Sequence, residues 1–268
     1  VTENYNLKTV IKALIKSPYF RARQLQEVDS DEANSGGDGS KGAPGAVGSH
    51  DIALGQLGTS RLLTPEELDR KIAAITGRIW EDPETGDSWL LTKYRIYYGG
   101  IDFSKPGERI TEMNGTMANI AERMANEIAC YVVPKDFLLP IEERHLFPFV
   151  EFDYAPTEKH GFPVPQMEAL IKTNILFLHE RLLNEVLDTD SVEFKRTYDL
   201  YMAVLNKGRT LIKDSLSTET LPSACQGMMD PVTGDALETP FTEDAGYTVR
   251  AWMAVVSYLL SDYRFLYQ

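Results

Sequence analysis

Cysteine is nearly missing from this 268-residue chain: Cys130 and Cys225 are the only two, and neither stands in a CxxC, a CxxCH or a Cys/His cluster. That argues against structural zinc and against covalent c-type haem within the chain. The pair leaves two readings, a single disulfide in an oxidising compartment or two buried thiols. Histidine is scarce too; His50, His145, His160 and His179 are scattered, which argues against a histidine-rich metal enzyme. Positive charge is short, with 27 Lys and Arg against 40 Asp and Glu, a net charge of -13 and a pI near 4.8. Such a surface repels nucleic-acid backbones and anionic membranes, so no nucleic-acid partner is expected. No apolar run reaches the roughly 20 residues of a bilayer span, so no transmembrane segment is expected. P-loop, dinucleotide, nucleophile-elbow and zinc-protease motifs are missing as well. The chain opens at Val1 without a leader pattern, which reads as a processed mature chain or a piece of a longer one.

What is present is helical periodicity. The stretch from Tyr247 to Gln268 sets Val249, Trp252, Met253, Val256, Leu259, Leu260 and Tyr263 at helical spacing, beside a narrow small or polar stripe. It reads as a core helix around which the rest is organised. Thr64-Pro65-Glu66-Glu67 supplies a cap hydroxyl, a first-turn proline and a capping-box glutamate, predicting a helix over 65–76 that Gly77 closes. A helix over about 113–133 carries Met113, Met117, Ile120, Met124, Ile128 and Tyr131 on one face, with Pro134 expected to end it. Methionines at this spacing are core packing before they are copper or haem ligands. Helices over 165–187, with Val186 inward, and 191–213 form a hairpin across Asp188-Thr189-Asp190. Residues 89–98, WLLTKYRIYY, fit a strand or a buried helix. The expected fold is mainly α, an irregular helical bundle with long loops and at most a small β element near 89–103. Three regions are expected: an N-terminal helical segment 1–28, a Gly/Ser/Asp-rich linker or loop 29–58, and a helical core domain 59–268.

The first region carries a resemblance. Asn6, Leu7 and Lys8 open an amphipathic helix that ends in Ser17, Pro18, Phe20 and Arg21. This pattern resembles the closing segment of planctomycete-type cytochrome-c-associated proteins, exported bacterial multidomain chains of unknown function. The resemblance implies a periplasmic or secreted protein near a c-type cytochrome, with haem held only on a partner or a missing part. It supplies no activity.

Two residue sets could carry chemistry. Glu142, Glu143, His145 and Glu151, with Arg144 among them, could form an acid/base or metal constellation, or a surface salt-bridge network. The repeated DPxTGD places Asp82 with Asp87 and Asp230 with Asp235, each pair a tight turn or a Ca2+ site. His179 borders an apolar face and reads as packed and hydrogen-bonded rather than ligating. Three functions stand side by side: a non-catalytic interaction or structural subunit of an exported assembly, bound to other subunits or a longer parent chain; a carboxylate/histidine enzyme, with or without a metal; and a calcium-stabilised binding module.

Overall fold

Helix α1, Pro65–Thr76, starts and stops where its end signals stand. Thr64 Oγ1 accepts the Glu67 amide at 3.2 Å while Glu67 Oε2 accepts the Thr64 amide at 3.0 Å, satisfying two groups that lack a partner inside the helix. Gly77 closes it at φ 73°, a left-handed conformation open to glycine without steric cost. The computed structural model describes residues 60–101, 109–156 and 164–268. All of these but 60 and 61 belong to one compact unit, Leu62–Gln268. The expected segments 1–28 and 29–58, and with them the resemblance at residues 6–21, lie outside the described residues.

Helix α2 runs from Gly115 to Leu138, capped by Asn114, whose Oδ1 accepts the Met117 amide at 3.0 Å. Met117 and Met124 are sealed in the core, as packing residues. Pro134 does not end this helix, against expectation; it sits inside, buried between Val133 and Phe137. Proline removes one ladder hydrogen bond, and burial of the turn that follows outweighs that loss. Helices α3 (Val164–Leu183) and α4 (Val192–Lys213) pack together as the hairpin reading requires. Asn184, at φ 53°, turns the chain out of α3, so Val186 is 84% exposed rather than inward.

The small sheet is not near 89–103. There, residues 89–99 form successive turns, with Tyr94 donating to the Trp89 carbonyl and Tyr98 to the Tyr94 carbonyl, each at 2.8 Å. Strands β1 (Gly227–Met229) and β2 (Ala236–Phe241) instead pair antiparallel, Gly227 with Phe241 and Met229 with Ala236, with a bulge between. Aromatic and β-branched content made 89–98 strand-like, but among the described residues it pairs with no strand, and its Tyr94 and Tyr98 amides close on carbonyls of the same stretch.

Helix α5, Thr248–Leu260, is the centre, packed on α2, α4 and α3. Val249, Trp252, Val256, Leu259 and Leu260 are sealed, as the periodicity predicts, and Ala251 and Val255 join them. The stretch breaks at Ser261. Asp262 Oδ1 accepts the Arg264 amide at 2.8 Å and starts the short helix α6, Tyr263–Leu266, which leaves Tyr263 65% exposed instead of inward. Leu62 bridges Tyr267 and the Leu63 amide donates to the Leu266 carbonyl at 2.9 Å, joining the unit's first residues to its last. The architecture is mainly α with one small two-stranded sheet, and no helix among the described residues is long and apolar enough to cross a membrane.

Candidate functional site

The carboxylates of the 142–151 set are exposed or turned to Arg144, and the histidine of that set, His145, lines a small recess. Glu142 and Glu143 lie exposed on a short 3-10 turn, Ile141–Glu143. Arg144 is sunk to 6% exposure and spends its guanidinium on the carbonyls of Phe137, Leu139, Phe147 and Val150 and on Glu151 Oε2 at 2.9 Å. Guanidinium has five donors in a fixed fork, so one side chain can pin a whole irregular connection. His145 gives its amide to Asp136 Oδ1 at 2.8 Å, and its ring lies against Gly77. Asp136, absent from the sequence reading, also takes the Leu146 and Phe147 amides at 3.0 and 2.9 Å. Burial pushes the Asp136 carboxyl above its ordinary range, and the three amides pull it back. Arg144 and Asp136 together clamp residues 145–151 onto the core. Among the described residues, no hydrogen bond or ion pair joins Glu142 or Glu143 to His145.

The two DPxTGD copies are the same turn twice. Asp82 donates its amide to the Asp87 carbonyl at 2.8 Å and Gly86 to the Asp82 carbonyl at 2.7 Å; Asp230 and Gly234 repeat this at 2.7 and 2.9 Å. Gly86 and Gly234 share φ near 75°. Asp82 Oδ1 accepts the Glu84 amide at 2.9 Å, and Asp230 Oδ1 accepts Val232 and Thr233 at 2.8 and 2.9 Å. Those two amides hold the Asp230 carboxyl below its ordinary range. Asp87 and Asp235 are exposed. No group of three His, Cys, Asp or Glu side chains is placed to hold a metal among the described residues. What both copies do is reverse the chain: the first brings Trp89 back to Trp80, amide to carbonyl at 2.8 Å, and the second joins β1 to β2.

Beside the first turn lies a cleft of about 410 Å³, mostly apolar and lined by Trp80, Trp89, Ile128, Tyr131 and the Cys130 wall. Trp80 stacks on Tyr94 at 5.1 Å between ring centroids, with planes 3° apart, and Trp89 leans on both. The polar edges of Trp80 and Tyr131 are fixed. Trp80 Nε1 donates to Glu127 Oε2 at 2.8 Å, Arg123 Nε holds Glu127 Oε1 at 2.7 Å, and the Tyr131 hydroxyl donates to Glu81. Cys130 and Cys225 form a disulfide in the same wall, tying α2 to the turn before β1. This settles the choice left open between a bridge and two thiols. A rigid aromatic floor with a thin charged rim suits recognition by shape and apolar contact. The cleft was missed in the sequence, although two tryptophans flanking one tight turn were its signal.

His179 is packed and hydrogen-bonded, with Nε2 2.8 Å from Thr197 Oγ1 and Nδ1 3.1 Å from Glu185. Burial depresses its pKa from 6.5, against the pull of Glu185. His50 and His160 lie outside the described residues. No protein-family model, no curated protein and no solved structure matches this chain.

Proposed function

We propose that this chain is a non-catalytic helical interaction module of an exported bacterial assembly, and that it takes a segment of a partner protein into the Trp80/Trp89/Tyr131 cleft. The cleft is the observation that carries the reading: its aromatic rings are prefixed by Glu127, Glu81 and the disulfide, so binding orders little of the module itself. The occupant is an apolar side chain, since the floor is aromatic and the rim charges of Glu127 and Arg123 hold each other. Support for export comes from the disulfide, which persists in oxidising compartments. The resemblance at residues 6–21 directs the search to a c-type cytochrome or a longer parent chain. Of the carboxylates that sequence spacing offered for catalysis, Glu142 and Glu143 are exposed and Glu151 is held by Arg144, which favours binding over turnover.

The test is a photo-crosslinking residue placed at Ala224, on the cleft wall, in the native host, followed by mass spectrometry and a visible absorption spectrum of the adduct. One dominant adduct, lost with Trp89→Ala, is expected, and a haem band would identify the partner as a cytochrome. Adducts that persist unchanged with Trp89→Ala would remove the cleft from the interaction. Calcium on the DPxTGD turns is a separate proposal, which EDTA addresses through the melting temperature.

A further inference from the structure

A smaller recess, about 120 Å³, is lined by Thr76, Gly77, Arg78, Lys135, His145 and Pro231 among others. Two cations, Arg78 and Lys135, share its wall with one carboxylate, that of Asp136. Lys135 has Nζ 3.4 Å above the Tyr131 ring, and Arg78 donates to the Pro231 carbonyl at 3.3 Å; among the described residues neither forms an ion pair. Arg95, Arg123, Arg144, Lys172, Arg250 and Arg264 hold carboxylates, whereas Lys71, Lys93, Arg181 and Arg209, like this pair, rest on carbonyls or aromatic rings. The Asp136 oxygens are occupied by three backbone amides. Glu81, the acid nearest Lys135, is taken by the Tyr131 hydroxyl. Burial, and after it the neighbouring Arg78, lower the Lys135 pKa to about 8 against the opposing pull of Glu81.

We propose that this recess is a binding site for one small oxyanion, of the phosphate, sulfate or carboxylate class, held between Arg78 and Lys135 with the His145 ring at its edge. Guanidinium offers a forked pair of donors and ammonium a point charge, the combination that recurs around tetrahedral oxyanions. The volume admits a few water-sized groups and excludes a drug-sized ligand. The anion is free in solution or is the terminal group of a larger molecule whose remainder lies outside. Because Arg78 also holds Pro231, occupancy ties the second DPxTGD turn to α1 and α2.

Thermal melting with inorganic phosphate, against sodium chloride of equal ionic strength, tests the site. With phosphate tenfold above its Kd, the wild-type melting temperature should rise by about 3 °C beyond chloride. Lys135→Met and Arg78→Gln should each abolish that excess. Line broadening in 31P spectra of the same samples reads binding directly; Lys135→Met keeps its side-chain stem over Tyr131 and serves if Arg78→Gln does not fold. Phenyl phosphate binding as well as inorganic phosphate would mark a carried terminal group, and inorganic phosphate alone a free ion. A rise no larger than with chloride, or one retained in both variants, overturns the proposal.

Discussion

Gly208 shows how one missing methyl sets a packing arrangement. It lies inside α4, where glycine weakens a helix, yet a Cβ there would stand 2.0 Å from the Tyr247 ring. Tyr247, itself at φ 58°, lays its ring on the bare helix backbone just before α5 begins. Gly208→Ala should therefore destabilise the fold by about 1–3 kcal/mol through overpacking, although alanine favours helix by roughly 1 kcal/mol. Urea unfolding checks it; a midpoint at or above wild type would mean that the ring does not rest there. Contacts of this kind were not legible in the sequence, because Gly208 sits among polar helix residues and gives no periodic signal. The same holds for Asp136 and Arg144, each a charged residue whose use depends on which backbone folds back over it. By contrast, Thr64 with Glu67 was legible, since a cap bonds residues three apart and needs no tertiary contact.

At the scale of elements, local chemistry set beginnings better than ends. α1 was readable at both ends, whereas α2 ran past Pro134 because buried Phe137 lies beyond it, and α3 stopped short at Asn184. His179 couples elements: on α3, it meets Thr197 of α4 and Glu185 of the connection, which in turn pairs with Arg264 of α6. Its pKa is depressed in the folded state, so the unfolded chain binds the proton more readily. Stability from this group is complete above pH 6.5 and is lost as pH falls through 6.5 toward the lower folded value. Between about pH 7.5 and pH 5.5, the wild type should lose more stability than His179→Gln, which is less stable at the upper end but flatter. Parallel curves for the two proteins would exclude His179 as the titrating group. The cleft belongs to this scale as well: Trp80 and Trp89 were visible as residues, but their meeting depended on the DPxTGD turn reversing the chain between them.

For the whole molecule, the Cys130–Cys225 bridge spans a sequence separation of 95 and crosses from the α2 wall of the cleft to the base of the β1–β2 hairpin. Cross-links that close loops this long restrict the unfolded ensemble, so Cys130→Ala with Cys225→Ala should cost about 2–5 kcal/mol. Denaturant midpoints of the two proteins measure it, and equal midpoints would show the bridge to be without consequence for stability. The mainly helical architecture was legible because apolar periodicity survives in α2 to α5, where burial is continuous. The sheet was misplaced because its strands, GMM and ALETPF, are short and carry no alternation, while 89–98 has strand composition but pairs with no strand among the described residues.

The pairing of Leu62 and Leu63 with Leu266 and Tyr267 gives the unit a property beyond stability. Its two ends emerge side by side, so the polypeptide path is nearly a closed ring. A short Gly/Ser link from Gln268 to Leu62 would complete that ring, and new termini opened at the exposed Leu216 turn would yield a circular permutant with the same core. For the same reason the unit can be spliced into a surface loop of a larger host protein, entering and leaving through one narrow doorway.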